Sequence, residues 1–151
     1  MQPILLADDD AEGAFLTTRA FKQAGVAHPI AVVRDGDAAV QYLAGTGPYA
    51  NRDAHPLPCL LLLDQKLPGR SGLEVLEWVR TKSPVCTLPV LLLSASTFDA
   101  DIQTAYLLGA NGYLVKPAEF EVLVAMAKAI KDYWLTVNRA PAASASSKSG
   151  P

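Results

Sequence analysis

The chain contains five short apolar runs that alternate with longer amphipathic stretches. The apolar runs are PILLA (3–7), PIAVV (29–33), CLLLLD (59–64), PVLLLS (89–94) and GYLVK (112–116). Runs that are apolar at successive positions, rather than at every second one, are typical of strands that are covered on both faces. Strands of that kind occur in parallel sheets, so this feature predicts a sheet of five parallel strands.

Each apolar run is followed by a segment with helical periodicity and helix-end signals. Residues suited to an N-cap, Asp10 and Ser71, precede two of these segments, and a glycine follows three of them. The predicted helices cover residues 11–24, 37–44, 72–81, 99–108 and 118–136. Five strand–helix pairs with right-handed crossovers place helices on both faces of the sheet, which is an α/β fold.

Two segments interrupt this alternation. Residues 45–58, called the insertion below, contain three prolines and two glycines and are longer than the usual connections of about 2–6 residues. Residues 138–151 are small, polar and proline-rich, which predicts a disordered C-terminal tail. The remaining residues, 1–137, are predicted to form one domain.

The charge and the apolar content exclude several classes of protein. The formal net charge is only −2 and half of the residues are hydrophobic, which argues against a disordered chain and against a polybasic nucleic-acid binder. No apolar run approaches the roughly 20 residues of a membrane span, and the acidic N-terminus is unlike a secretory signal. We expect a soluble cytoplasmic protein whose two cysteines, Cys59 and Cys86, are reduced thiols.

Polar side chains stand at the carboxyl ends of four predicted strands. Asp8 and Asp9 follow the first strand, Asp64 ends the third, Ser94 ends the fourth and Lys116 ends the fifth. In open α/β sheets, binding sites form beyond the carboxyl ends of the strands. We therefore expect these five side chains to converge at one site.

The expected site joins three carboxylates, which repel each other and need a positive charge to neutralise them. Magnesium suits them because it prefers oxygen ligands and keeps several waters, so a few carboxylates on rigid strand ends suffice. A lysine and a hydroxyl beside the acids indicate a second ligand, a phosphoryl group, whose oxygens would contact Lys116 and Ser94. A carboxylate can itself be the nucleophile in phosphoryl transfer, and we assign that chemistry to Asp64.

The same residues resemble the receiver domain of bacterial two-component response regulators, a family with the chemotaxis-regulator (flavodoxin-like) fold. The matching pattern covers residues 3–136. It consists of the acidic pair after the first strand, DQKLPGRSG (similar to the family's D-x-x-M/L-P-x-x-x-G), LLLSA with its serine, and GANGYLVKP with its lysine and proline. Ser94, Tyr113 and Lys116 follow Asp64 by 30, 49 and 52 residues, as they would in the family.

The resemblance implies that a histidine kinase transfers a phosphoryl group from its phosphohistidine to Asp64. It implies that Asp64, Ser94 and Lys116 carry the chemistry. It also implies that Ser94 and Tyr113 form a switch, in which the hydroxyl moves toward the phosphate and the aromatic ring turns inward. A protein of this kind is a signalling phosphoacceptor, which catalyses only its own phosphotransfer and dephosphorylation.

The resemblance also implies a Mg²⁺ site and an unusual peptide bond. Asp9 and Asp64 would bind the ion through their side chains, Lys66 through its main-chain oxygen, and Asp8 through water. Pro117 would follow a cis peptide bond, as in the family.

Two features depart from the minimal family pattern. Lys66, two positions after Asp64, is a long cation where many relatives have Met or Asn, and we expect it to face the phosphoryl site. The insertion precedes the third strand and is absent from the minimal domain. Together with VVRDG (32–36), it is similar to single-domain regulators that partner phytochrome-type photoreceptor kinases. The expected partner is therefore a sensor histidine kinase, of the phytochrome type in that case.

Two other functions remain open from the residues alone. A magnesium-dependent phosphohydrolase could use an aspartate nucleophile on a similar sheet, but such enzymes commonly carry a second acid where this chain has Lys66. The second open function is that of a binding module that can no longer be phosphorylated. Against it, the acceptor, the acids, Ser94 and Lys116 are all present. Dinucleotide binding is disfavoured because acids, rather than a glycine-rich G-x-G-x-x-G turn, follow the first strand.

The final predicted helix carries two apolar stripes. The first has the spacing of a core-facing stripe: Phe120, Leu123, Val124, Ala127, Ile130 and Trp134. The second consists of Val122, Met126, Ala129 and Tyr133. A helix on a sheet needs one apolar face, and an exposed second face often marks an interaction surface. We therefore expect a homodimer through this helix; the alternative is that the second stripe packs on the preceding helix.

Overall fold

The computed structural model describes residues 1–141, and within them five strands alternate with five α-helices. The strands are β1 (Ile4–Ala7), β2 (Ile30–Val33), β3 (Leu60–Asp64), β4 (Val90–Ser94) and β5 (Gly112–Val115). The helices are α1 (Ala11–Gln23), α2 (Gly36–Ala44), α3 (Gly72–Thr81), α4 (Asp99–Leu107) and α5 (Phe120–Asp132). The predicted order of elements is confirmed, and only the end of the last helix differs substantially from its predicted boundary.

All five strands are parallel and lie in the order β2-β1-β3-β4-β5. This is the strand order of the flavodoxin-like doubly wound fold, which confirms the predicted fold class. The strand order reverses between β1 and β3, and ligand sites form at such a switch point. In the register, Ala7 lies beside Leu63, and Asp64 lies beside Leu93. The residues that follow β1 therefore stand at the same edge of the sheet as the ends of β3 and β4.

Each face of the sheet packs on its own helices. Leu61 and Leu63 belong to the core layer beneath α2 and α3, whereas Leu60 and Leu62 belong to the layer beneath α1 and α5. Every residue of β1, β3 and β4 is buried. Burial on both faces explains why these strands are apolar at successive positions rather than at alternate ones.

The two predicted N-caps are confirmed. The side chain of Asp10 accepts a hydrogen bond from the backbone N–H of Glu12 at the start of α1. At the start of α3, Ser71 Oγ accepts from the N–H of Glu74 at 3.2 Å, and Glu74 Oε1 accepts from the N–H of Ser71 at 3.0 Å. This reciprocal capping box satisfies two backbone donors that the helix itself leaves free. Within residues 1–141, no helix is both long and apolar enough to cross a membrane.

The last helix is shorter than the predicted range of 118–136. The α-helix begins at Phe120 and ends at Asp132, and Tyr133–Val137 continues it as one π-helical turn. The N–H of Asn138 donates to the carbonyl of Tyr133, a wider spacing than the α-helical bond, and apolar periodicity does not reveal such a change. Residues 138–141 have no regular secondary structure, and the rest of the predicted tail, 142–151, lies outside the described residues.

The insertion is anchored on the C-terminal end of α2. The guanidinium of Arg52 donates to the carbonyl oxygens of Tyr42 at 2.7 Å, Leu43 at 2.8 Å and His55 at 3.2 Å. The rings of Tyr42, Tyr49 and His55 pack together with centroids 5.1 to 5.9 Å apart. The insertion is therefore an ordered cap on α2, and it contains one short 3₁₀ turn at Gly47–Tyr49.

The prediction of a cis peptide bond before Pro117 is wrong, because the structure has no cis peptide bond among the described residues. The trans form is the preferred one at X–Pro bonds by about 0.5–1 kcal/mol. It is compatible with the sheet, since the N–H of Lys116 still donates to the carbonyl of Ser94 at 2.8 Å. The ladder between β4 and β5 therefore extends to the residue that precedes the proline.

Replacing Arg52 tests whether the insertion stabilises α2. Arg52→Ala should lower the free energy of unfolding by about 2 kcal/mol, because three carbonyl oxygens lose a charged donor. Arg52→Lys should recover only part of the lost free energy of unfolding, since an ammonium lacks the planar fork of a guanidinium. Urea unfolding measures both, with Arg139→Ala at an exposed position as the control. An Arg52→Ala variant as stable as this control would contradict the anchoring role.

Candidate metal and phosphoryl site

The acids of the site stand at the carboxyl ends of two neighbouring strands. Asp8 and Asp9 directly follow β1, and Asp64 is the last residue of β3. Asp8 and Asp64 are buried, at 3% and 6% exposure, whereas Asp9 is exposed. One carboxylate oxygen from each of the three lies within 4.8 Å of the other two. The structure therefore brings together the three acids that the sequence predicted to converge.

Lys116 reaches the same site from the edge strand β5. Its Nζ lies 2.6 Å from Oδ2 of Asp64, which makes both a hydrogen bond and an ion pair. Lys116 directly follows β5, which β4 separates from β3, so the lysine side chain crosses the end of β4 to reach the acid. The ammonium offsets a negative charge that burial alone would make costly.

The turn after Asp64 is shaped by two glycines. Gly69 has a φ of +72°, a left-handed conformation that glycine adopts readily. Gly72, the first residue of α3, lies so close to β3 that a Cβ there would come within 2.2 Å of the carbonyl oxygen of Asp64. The N–H of Lys66 donates to Asp64 Oδ1 at 3.2 Å, while the lysine side chain itself is exposed. Both oxygens of Asp64 therefore accept hydrogen bonds that orient the carboxylate.

The predicted switch pair consists of Ser94, the last residue of β4, and Tyr113, within β5. Ser94 is buried, and its Oγ accepts a hydrogen bond from the N–H of Ser96 at 3.0 Å. Tyr113 in β5 is half-buried, and its hydroxyl lies 3.1 Å from Oε1 of Gln65 and 3.1 Å from the carbonyl oxygen of Ser96. Ser96 therefore contacts both members of the pair.

Burial raises the pKa of Asp8 above its ordinary value. The neighbouring negative charges of Asp64 and Asp10 raise it further, although each contributes less than burial does. A hydrogen bond from the backbone N–H of Asp10 and the charge of Lys116 act in the opposite direction without cancelling the rise. The acid cluster thus opposes full ionisation of this carboxyl group.

The donor set fits a hard divalent cation. The three carboxylates offer oxygen ligands only, and two of them are held on the ends of buried strands. When all three acids are ionised, they and the ammonium of Lys116 together leave two negative charges, which one divalent cation would balance. Oxygen donors and few protein ligands are characteristic of magnesium sites.

Sequence reasoning missed three residues of the site. Gln65 and Ser96 contact the hydroxyl of Tyr113, and Arg34 Nη2 donates to the carbonyl oxygen of Asp9 at 3.2 Å. Gln65 and Ser96 each lie within two residues of a predicted strand end, and this position could have indicated that they belong to the site. Their contacts with Tyr113, however, join residues that are far apart in the chain, so local pattern does not predict them.

Comparison with known proteins identifies relatives over most of the chain. Residues 4–128 match the family of response regulator receiver domains. The chain is 39% identical over 138 residues to the probable methanogenesis regulatory protein FilR2 of Methanothrix harundinacea, across 91% of this chain and 86% of that protein. It is 34% identical over 140 residues to the response regulator Rcp1 of Synechocystis, across 93% of both proteins.

Two solved structures share the fold. The phosphorylated cyanobacterial phytochrome response regulator RcpA matches with a TM-score of 0.85 and 34% identity, over 93% of this chain and 99% of that one. The Mn²⁺-bound form of Rcp1 matches with a TM-score of 0.83 and 32% identity, over 94% of this chain and all of that one. The likeness therefore extends over nearly the whole length of both comparison chains.

The raised pKa of Asp8 predicts how the stability of the metal-free chain depends on pH. Because Asp8 binds its proton more tightly in the folded state, its contribution to stability is fully present below its ordinary pKa and is lost as the pH rises through the raised value. Asp8→Asn should therefore raise the melting temperature at neutral pH in EDTA and flatten this part of the pH dependence. Thermal unfolding across a pH series measures both effects.

The matched control is Asp53→Asn, an exposed acid in the insertion, which should leave both quantities unchanged. Added Mg²⁺ should stabilise the wild type more than Asp8→Asn, because the wild type keeps all three carboxylates. An Asp8→Asn chain that melts below the wild type without metal would show that the charge of Asp8 stabilises the fold.

Proposed function

Because this chain belongs to the response regulator receiver domain family, we propose that Asp64 accepts a phosphoryl group from the phosphohistidine of a sensor histidine kinase. The phosphoacceptor role is implied by the family. The choice of Asp64 rests on its 2.6 Å ion pair with Lys116 inside the acid cluster. Neither Asp8 nor Asp9 forms an ion pair with a lysine in the described structure.

In the proposed step, an oxygen of Asp64 attacks the phosphorus atom of the phosphohistidine. A P–O bond forms to Asp64 while the P–N bond breaks, and the electron pair of that bond leaves with the kinase imidazole. Lys116 reduces the repulsion between the carboxylate and the phosphoryl oxygens, and the hydroxyl of Ser94 donates to one of those oxygens. Attack of water on the phosphorus atom later releases phosphate and restores the carboxylate.

We propose that Mg²⁺ is the resident cation. Asp9 and Asp64 would hold it through their carboxylates, Lys66 through its main-chain oxygen, and Asp8 through water. When bound, the ion would offset the charges of the acids and of the phosphoryl group. Support comes from the three carboxylate oxygens within 4.8 Å of one another and from the Mn²⁺-bound form of the similar Rcp1.

The proposed signal passes through Ser94 and Tyr113 to the loop that joins β4 to α4. A shift of Ser94 toward the phosphoryl group would carry Ser96, whose N–H donates to the Ser94 hydroxyl. The proposed kinase is of the phytochrome type, because the similar regulator RcpA is a phytochrome response regulator.

We further propose that two copies of the chain associate through α5 and β5. Val122, Ala129 and Tyr133 of the second stripe are exposed, and Val115 of the adjacent edge strand is 46% exposed. The prediction that Met126 belongs to this exposed stripe is wrong, because Met126 is half-buried and packs on the core layer that α1 and α5 share. The proposed surface therefore consists of Val115, Val122, Ala129 and Tyr133, without Met126.

Mass spectrometry tests the assignment of the acceptor. Wild-type chain incubated with acetyl phosphate and Mg²⁺ should gain one acid-stable, base-labile phosphoryl group, and Asp64→Asn should gain none, because its amide is not a nucleophile. Asp53→Asn, the same chemical change at an exposed position, should gain the group as the wild type does. An unchanged mass gain in Asp64→Asn would place the acceptor elsewhere.

Light scattering tests the association of two copies. The wild type should show the mass of a dimer at high concentration, and the double variant Val122→Glu, Tyr133→Glu should be a monomer, because two charges would be buried in the interface. Lys128→Glu, which changes an exposed residue elsewhere on α5, should remain a dimer. A wild type that is monomeric with and without phosphorylation would exclude this association.

A further inference from the structure

The hydroxyl of Tyr113 contacts both the turn after β3 and the loop after β4. Gln65 lies in the turn after β3, immediately after Asp64, and its Oε1 is 3.1 Å from the hydroxyl. The carbonyl oxygen of Ser96, in the loop after β4, is also 3.1 Å away. The ring itself packs against the core layer beneath α2 and α3. The tyrosine is therefore held at its tip by two loops and along its ring by the core.

We propose that Gln65 is a positioning residue that holds Tyr113 inward and thereby ties the turn after β3 to the loop after β4. This inference rests on the proposed function, since it concerns how the same site transmits its signal. The bridge is made by the Gln65 side chain and the Ser96 carbonyl, and neither group binds the phosphoryl group in the proposed reaction. In the switch, these contacts would hold the ring of Tyr113 in its inward position.

The donors and acceptors of the Tyr113 phenol and the Gln65 amide determine how their hydrogen bond can form. A phenol carries one proton and cannot donate it fully to two carbonyl oxygens. A half-turn of the Gln65 amide, which exchanges oxygen and nitrogen, lets Nε2–H donate to the phenol while the phenol donates to Ser96. An amide side chain satisfies this arrangement because it offers a donor at that position, whereas an aliphatic side chain offers none.

The bridge continues to the start of α4 through Ser96. The hydroxyl of Ser96 accepts a hydrogen bond from the N–H of Phe98 at 3.2 Å and donates to a carboxylate oxygen of Asp101 at 2.5 Å. Phe98 is the N-cap residue of α4 and makes no side-chain cap bond of its own. Loss of the Gln65 contact should therefore loosen the segment from 95 to 101, which connects the site to the surface of α4.

Amide hydrogen exchange of the full chain in Mg²⁺ tests the proposal. Gln65→Leu removes the amide, Tyr113→Phe removes the hydroxyl and the double variant removes both. Gln65→Leu should raise exchange in residues 95–101 by about fivefold, the factor that one net hydrogen bond supplies. Tyr113→Phe should raise it further, because it also loses the contact with the Ser96 carbonyl. The double variant should not exceed Tyr113→Phe, because that variant has already lost the contact with Gln65. Tyr49→Phe removes a hydroxyl in the insertion and should leave this segment unchanged.

The expected rise in amide exchange is confined to one segment, and this distinguishes a positioning role of Gln65 from a general loss of packing. A merely structural defect would raise exchange throughout α4 and β5 and lower the melting temperature, whereas loss of the bridge changes mainly residues 95–101. Gln65→Met, which keeps the length of the side chain, provides the same comparison if Gln65→Leu folds poorly. Exchange in Gln65→Leu or Gln65→Met that stays near the wild-type rate, while Tyr113→Phe exchanges faster, would overturn the proposal. Additive effects in the double variant would overturn it as well.

Intact mass of the same samples after acetyl phosphate treatment keeps this inference separate from the proposed function. A wild type that gains no phosphoryl group would refute the proposed function and would leave the exchange result standing, because that measurement uses no phosphoryl donor. A wild type that gains the group, with unchanged exchange in both Gln65 variants, would refute the positioning role alone.

Discussion

The ion pair between Lys116 and Asp64 is the contact on which the rest of the site depends. A carboxylate that is only 6% exposed has lost most of its hydration, and an ammonium at 2.6 Å offsets that cost. Lys116 directly follows β5 and Asp64 ends β3, with β4 between these strands, so the pair forms only when three parallel strands end at the same edge. The buried charge of Asp64 is therefore paired only when the strands have the correct order.

Function and stability make opposite demands on the acids around this pair. A phosphoryl acceptor that uses a divalent cation needs several carboxylates close together, yet burial and neighbouring charge raise the pKa of Asp8 and oppose its ionisation. The fold carries this cost because the strands that hold the acids are firmly packed. Leu61, Leu62 and Leu63, which precede Asp64 in β3, are fully buried. Asp64 is therefore held at a rigid edge of the sheet, and Asp8 and Asp9 directly follow the buried strand β1.

The long connections of the fold are held by side chains that bind main-chain carbonyls of distant segments. Arg52 in the insertion donates to the last turn of α2, and Tyr113 in β5 donates to the loop after β4. A carbonyl contact fixes the path of the backbone whatever side chain stands there. Such contacts explain how a chain with an unusually long connection before β3 still presents an ordered site.

The sequence by itself determined the order of strands and helices, the N-caps and the acids and lysine of the site, including Asp64. It could do so because apolar runs and caps are local patterns, and because parallel strands deliver their ends to one edge. Only the tertiary structure decided that Arg52 caps α2, that Gln65 reaches Tyr113 and that Met126 turns toward the core. These contacts depend on distances and rotations between segments remote in the chain, and neither periodicity nor capping signals encode such distances.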